Sequence, residues 1–151
     1  MLDLHIPDLH LGEDEGPWVP YTNGVELRYL MFDLREGTWA NVLRTKGPAK
    51  LGRHRHSGPI TGYTIRGTWG YREYDWVARK GSYIRENPGV IHTLYCDDPE
   101  GMEVFFIASG VNETFDDNDN VIAKFTVFYH AENYQKHCAA NGLKVDQRLF
   151  R

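Results

Sequence analysis

Cysteine is scarce. Only Cys96 and Cys138 occur among 151 residues, and they form no spacing motif. That excludes a disulfide-stapled scaffold and a cysteine-rich zinc module, and it predicts two free thiols in a reducing compartment. Long apolar runs are missing too. None approaches the ~18 residues of a membrane span. No basic segment followed by an apolar one opens the chain, so no secretory leader is expected. Positive charge is in deficit, with 17 Lys and Arg against 21 Asp and Glu and a net charge of −4. Without a concentrated basic patch, neither nucleic acid nor an anionic membrane is an expected partner. Internal repeats, low-complexity tracts and interdomain linkers are absent. The expectation is one cytoplasmic domain spanning residues 1–151.

Aromatic residues, by contrast, are plentiful: four Trp, nine Tyr and seven Phe. They suit strands, and they can also line a pocket for a flat ligand. Residues 1–24 read as an arm. Leu2, Leu4 and Ile6 alternate as in an edge strand, and Pro7, Pro17 and Pro20 exclude a regular helix. From Val25 the period is two, with Val25, Leu27, Tyr29 and Met31 on one face. Further strands are expected at Trp39 to Thr45, around His54 and His56, at Gly62 to Arg66, Trp69 to Val77, Ser82 to Arg85, Ile91 to Tyr95, Met102 to Ala108 and Val121 to Phe128. Short strands punctuated by Gly, Pro, Asn and Asp predict an all-β sandwich or barrel over 25–128. Asp116 to Asn120 lacks the glycine and later glutamate of a calcium loop and reads as a hairpin turn. One helix is expected, over 131–141, stopped by Gly142 at the C′ position.

Seven histidines occur. His5, His10, His130 and His137 read singly as surface or capping residues. His54 and His56 stand apart because residues two apart on a strand share a face, so both imidazoles can reach one ion. Arg53 and Arg55 then point the other way. His92, three residues after Gly89, is the natural third ligand. Three neutral imidazoles suit Fe, Zn, Cu or Ni. The common non-haem iron pattern adds a carboxylate, but the positions just after His56 hold Ile60 and Thr61. Glu73, on the face of the expected 69–77 strand shared by Trp69 and Tyr71, is the first candidate for fourth ligand or general base. Glu86, before Asn87-Pro88-Gly89, is the second, and it can equally serve the turn.

These residues resemble the two motifs of the cupin superfamily. The first runs glycine, five residues, H-x-H, three or four residues, glutamate, six residues, glycine. His54, His56 and Gly67 fit it, Ile60 takes the glutamate place, and the leading glycine (Gly47 or Gly52) is one or two residues out of register. The second runs glycine, five residues, P-x-G-x-x-H, three residues, asparagine. Gly81, Gly89 and His92 fit, while Asn87 replaces the proline and Cys96 the asparagine. The missing glutamate resembles the three-histidine cupins that cleave C–C bonds. Gly62 to Trp69, Asp75 to Ala78, Pro88-Gly89 with His92 to Leu94, and Asn141 to Arg151 are similar to the 2,4′-dihydroxyacetophenone dioxygenase family, and more distantly to acetylacetone-cleaving dioxygenases.

The resemblance implies a double-stranded β-helix, or jelly-roll barrel, with a short C-terminal helix. It implies Fe(II) held by His54, His56 and His92, with Zn(II) or Ni(II) able to occupy a purified sample. It also implies cleavage of an aryl α-hydroxyketone by O2 to an aromatic carboxylate and formate. Glu73 or Glu86 is the candidate acceptor of the α-proton. The alternatives are a β-diketone or quercetin-type dioxygenase, and a non-catalytic metal-binding sensor cupin. The apolar arm and open sheet edges predict a homodimer.

Overall fold

The computed structural model describes residues 6–151. Leu2, Leu4 and His5 lie outside the described residues. Residues 6–18 form no strand, and Ile6 is exposed. Among the described residues thirteen strands follow: β1 (Val19–Pro20), β2 (Glu26–Asp33), β3 (Thr38–Arg44), β4 (Ala49–Lys50), β5 (His54–His56), β6 (Ile60–Arg66), β7 (Gly70–Tyr71), β8 (Tyr83–Glu86), β9 (Ile91–His92), β10 (Leu94–Cys96), β11 (Glu103–Ser109), β12 (Asn112–Phe115) and β13 (Val121–Phe125). Helix α1 (Val127–Ala140) and a 3-10 turn (Gln147–Leu149) close the chain.

The strands form three antiparallel sheets, in the orders β1-β2-β3-β11-β6-β8, β4-β10-β7 and β13-β12-β5-β9. The large sheet supplies much of the core. Val104, Phe106 and Ala108 of β11 point inward, and Phe105 and Ile107 alternate outward. The same period places Ile60, Gly62 and Thr64 of β6 inside. Gly62 faces Phe106 across the ladder, and a Cβ there would sit 2.7 Å from its ring. The missing side chain is what lets Phe106 lie flat against β6.

Strand β2 departs from the expected alternation. A register shift between Tyr29 and Met31 inserts one residue, so Phe32 rather than Met31 becomes the fully buried one. Burial of a phenylalanine stabilises by roughly 1.5–3 kcal/mol, and the bulge preserves that burial. The expected strand from Trp69 to Val77 is cut to β7. The chain turns after Tyr71, where the Tyr74 amide donates to the Tyr71 carbonyl, and only a bridge between Trp69 and Ala78 continues the pairing.

The turn expected at residues 116–120 joins β12 to β13, with Asp116 Oδ1 accepting from the Asn118 and Asn120 amides. Helix α1 starts earlier than the expected Ala131, because Thr126 Oγ1 accepts from the Tyr129 amide and caps it there. Its C-terminus is a Schellman motif: Gly142 has φ +66°, and the Leu143 amide donates to the Cys138 carbonyl at 2.9 Å. Val127, His130, Ala131, Tyr134 and Cys138 form its buried stripe. Cys96 and Cys138 are buried free thiols. No helix among the described residues is long and apolar enough to cross a membrane.

Candidate metal centre

Strand register assembles the three histidines. His54 and His56 sit two apart on β5, so both face inward, with relative exposures of 5% and 9%. His92 on β9 is the direct cross-strand partner of His54 and is 2% exposed. The Asn87-Pro88-Gly89 turn delivers it. Gly89 adopts φ +84°, a region that favours glycine, and its amide donates to the His56 carbonyl at 2.8 Å. One ring nitrogen from each histidine lies within 4.8 Å of the others.

Their surroundings suit ligation. His54 Nδ1 sits 2.7 Å from the Gly52 carbonyl, which assigns the proton to Nδ1 and leaves Nε2 a bare lone pair. Burial, then the nearby His56 and His92, push the His54 imidazole down to about 4. Burial also lowers His92, against the opposing pull of Glu86. Neutral imidazoles are the ligating form. His92 Nε2 is buried without a hydrogen-bond partner among the described residues, as is Glu86 Oε2. Buried polar atoms are rarely left so, and a shared cation would satisfy both. The donor set therefore fits a divalent transition metal.

Glu86 fills the gap left by Ile60. The two are cross-strand partners on β8 and β6, so the carboxylate absent from position 60 arrives from the neighbouring strand. Its Oε2 lies 3.2 Å from His56 Nε2 and 3.4 Å from His92 Nε2. Neither contact is aligned as a hydrogen bond. These separations leave Glu86 Oε2 beside any ion that the histidines hold, where it can serve as a weak fourth ligand or as a base toward a molecule bound there. Burial opposes ionisation of Glu86, but His56, His92 and Tyr71 outweigh it and hold its carboxyl below the ordinary range. Tyr71 Oη donates a hydrogen bond to Glu86 Oε1. The Tyr71 ring stacks on His92, with centroids 4.0 Å apart and planes 10° from parallel. Burial, then Glu86, raises the Tyr71 phenol well above its usual value, so it stays a donor.

Glu73 does not reach this site. The turn after Tyr71 ends the period-two alternation that would have carried it inward, and its side chain is exposed. Its carboxylate accepts from the Thr93 amide at 2.8 Å and from the Thr93 hydroxyl at 3.0 Å, pinning the backbone beside His92.

His54, His56, Tyr71 and Glu86 border a cavity of about 70 Å³, and His92 lies behind Tyr71 and Glu86. That is room for roughly five water-sized spheres. It adjoins a wider space of about 340 Å³ that shares Tyr21, Leu51, His54 and Asn112.

His130, read from sequence as a surface or capping residue, instead walls this chamber at 3% exposure. It stacks on Trp39 at 4.6 Å and shares a 2.9 Å hydrogen bond with Tyr29 Oη. Tyr21 and Tyr129 complete its aromatic surroundings. Burial pushes its imidazole down to about 3. Below an unfolded value near 6.5, the unfolded chain takes a proton that the folded one refuses. The stabilisation is therefore complete above pH 6.5 and is lost as pH falls toward 3. Between pH 7 and pH 5 His130 is expected to remove about 2 kcal/mol of stability. Urea denaturation of the wild type and of His130→Gln at both pH values checks this. The variant should lose about 2 kcal/mol less over that interval, and equal losses would contradict the assignment.

No curated protein is a significant sequence match. Among solved structures, an RmlC-like cupin protein from Ralstonia eutropha is 30% identical with a TM-score of 0.88, over 95% of this chain and 94% of that one. An acetylacetone dioxygenase from Acinetobacter johnsonii superposes with a TM-score of 0.78 at 18% identity, over 90% of this chain and 97% of that one. The anti-sigma protein ChrR from Rhodobacter sphaeroides, in its complex with SigE, gives a TM-score of 0.56 at 14% identity, over 65% of this chain and 51% of that one. At these last two identities the likeness is one of fold. Residues 8–112 match the ChrR cupin-like domain family. The jelly-roll sheets, the inward histidines and that match agree: the chain belongs to the ChrR cupin-like domain family of the cupin superfamily.

Proposed function

We propose that this cupin is a non-haem Fe(II) dioxygenase that cleaves the C–C bond of a chelating aryl α-hydroxyketone, yielding an aromatic carboxylate and formate. The observation that carries this reading is the convergence of three buried imidazoles and one buried carboxylate, with His54, His56 and Glu86 at the wall of a small, mostly apolar chamber. His54, His56 and His92 are the proposed metal ligands. Ferrous iron held there would polarise the two oxygens of a chelating ketone and provide the redox path to O2.

The chain's own residues do the rest. Three neutral imidazoles and the single Glu86 carboxylate would leave a divalent ion's site net positive, which favours an anionic, bidentate substrate. Glu86 Oε2 is the proposed acceptor of the α-proton, and Tyr71 Oη, donating to Oε1, keeps that carboxylate oriented. Leu27, Leu43, Leu51 and Leu94 exclude water around the reacting carbons. In the overall reaction the bond between the carbonyl and carbinol carbons breaks. Each carbon gains one oxygen atom, and O2 is the oxidant that is reduced.

A second reading replaces the hydroxyketone by a β-diketone. The small inner chamber favours it, as does the fold likeness to acetylacetone dioxygenase. The test is anaerobic loading with Fe(II), then O2 uptake against aryl α-hydroxyketones and β-diketones. Uptake with hydroxyketones, with formate formed in equal amount, is expected. Uptake with diketones alone would select the second reading. Tight Zn(II) binding without O2 uptake on either class would instead indicate a metal sensor.

A further inference from the structure

Tyr71 does more than orient Glu86, because it begins a line of oxidisable rings that runs from the histidine cluster to the surface. Its face lies on His92, and it meets Trp76 at 5.6 Å and Tyr74 at 6.3 Å between ring centroids, both edge-on. Trp76 and Tyr74 stack on each other at 5.5 Å, with planes 15° apart. Exposure rises along the line: Tyr71 is 1% exposed, Trp76 is half-buried and Tyr74 is 44% exposed. Buried Trp69, edge-on to both Tyr71 and Trp76, adds a parallel step inside the core. All three members of the line border a second cavity, of about 110 Å³, together with Glu86 and His92.

Burial alone does not account for the outer pair. Trp76 and Tyr74 follow β7 outside any strand, and a ring as exposed as Tyr74 gains little from the hydrophobic effect. Their segment is nonetheless tied down beside His92. The Arg72 amide donates to the Thr93 carbonyl at 3.0 Å, and Glu73 accepts from the Thr93 amide and hydroxyl. These bonds hold the outer pair at contact distance from Tyr71. The inner end is equipped as well. A phenol that loses an electron becomes a strong acid, and Glu86 Oε1 already accepts the Tyr71 hydrogen bond. Iron at such a site performs one-electron chemistry. When it meets peroxide with no organic substrate bound, the imidazoles are the nearest groups to be oxidised.

We infer that Tyr71, Trp76 and Tyr74 form an electron-transfer relay that carries oxidising equivalents from the histidine cluster to a small-molecule thiol or ascorbate at the surface. Tyr71 gives one electron to the oxidant, a peroxide, and its phenolic proton to Glu86 Oε1. An electron from Trp76 and the proton returning from Glu86 restore Tyr71. Tyr74 then reduces Trp76 and releases its own phenolic proton to water. The thiol or ascorbate returns one electron and one proton to Tyr74. Each ring ends as it began, and one electron has passed from the reductant to the oxidant. The relay rests on the reading of the three histidines as a redox-metal site, and it needs no ketone.

The test gives Fe(II)-loaded protein equimolar hydrogen peroxide, a nitroso spin trap and no ketone. Peptide mass spectrometry then locates the trapped radical and counts oxidised histidine at positions 54, 56 and 92. In the wild type the adduct is expected on Tyr74, and ascorbate should remove it. Tyr74→Phe, at an exposed position that the fold does not depend on, should move the adduct to Trp76. Tyr71→Phe keeps a ring against His92 but cannot be oxidised. It should lose the adduct at both outer positions and raise histidine oxidation severalfold. No wild-type adduct on Tyr74 would overturn the inference. So would an adduct that survives in Tyr71→Phe, since freely diffusing radicals label an exposed ring without a relay, or histidine oxidation equal in the two proteins. Relay labelling without O2 uptake on any ketone leaves the relay standing and removes the dioxygenase. O2 uptake on a ketone, with histidine damage indifferent to Tyr71→Phe, does the reverse. Failure to bind iron overturns both.

Discussion

Replacing His92 with alanine is expected to lower divalent-metal affinity by more than about 100-fold and to abolish O2 uptake, while the β-sheets persist. Loss of a group that merely orients a ligand already costs 10- to 100-fold in affinity, so loss of a ligand must exceed that. His92 is the single proposed ligand from β9, and its Nε2 has no hydrogen-bond partner among the described residues that would compete for the lone pair. The substitution also empties the face of Tyr71, a cavity-type loss of order 2–4 kcal/mol by analogy with other large-to-small changes. A protein with three antiparallel sheets around one core tolerates a loss of that size if its stability lies in the usual range. Chelator competition with Zn(II), read beside far-UV circular dichroism, separates the two effects. His10→Ala, on the exposed arm, serves as the control and should bind metal as the wild type does. Wild-type affinity in His92→Ala would mean that the histidine cluster is not the metal centre.

The second large effect is expected at Glu86. Glu86→Gln should keep metal bound and slow O2 uptake by roughly 10²–10⁴-fold, the usual contribution of a positioned proton acceptor. The amide is nearly isosteric, so the contacts with Tyr71 and with the two histidines are altered in charge rather than in shape. Glu73→Gln should stay within about threefold of wild type, because Glu73 is exposed and bound only to Thr93. The pair of variants distinguishes the two acids in one comparison. Equal losses in both, with metal retained, would remove Glu86 from the proposed proton transfer.

How far the sequence could be read depends on the physical signal at each position. The period-two spacing of His54 and His56 and the Pro-Gly turn before His92 are local patterns, and the strands obey them. Glu86 was visible as an acid beside that turn. What ranks it above Glu73 is the β6–β8 register that sets it opposite Ile60, and pairing between strands is not written in either strand alone. Glu73 faces inward only if alternation runs on through Tyr71, and the chain turns there. The bulge in β2 moved Phe32 into the place expected for Met31 for the same reason: one added residue inverts every side chain beyond it. His130 reads as a surface or capping residue only while the helix starts at Ala131. A start capped at Thr126 puts Val127, His130, Ala131 and Tyr134 on one stripe, and that spacing was present in the sequence.

A dioxygenase of this kind places both atoms of O2 in the products of C–C cleavage. The most direct measurement is turnover of an aryl α-hydroxyketone by Fe(II)-loaded protein under ¹⁸O2, with mass spectrometry of the aromatic carboxylate and the formate. One labelled oxygen in each product is predicted. Label confined to one product, or label in neither, would contradict the dioxygenase assignment.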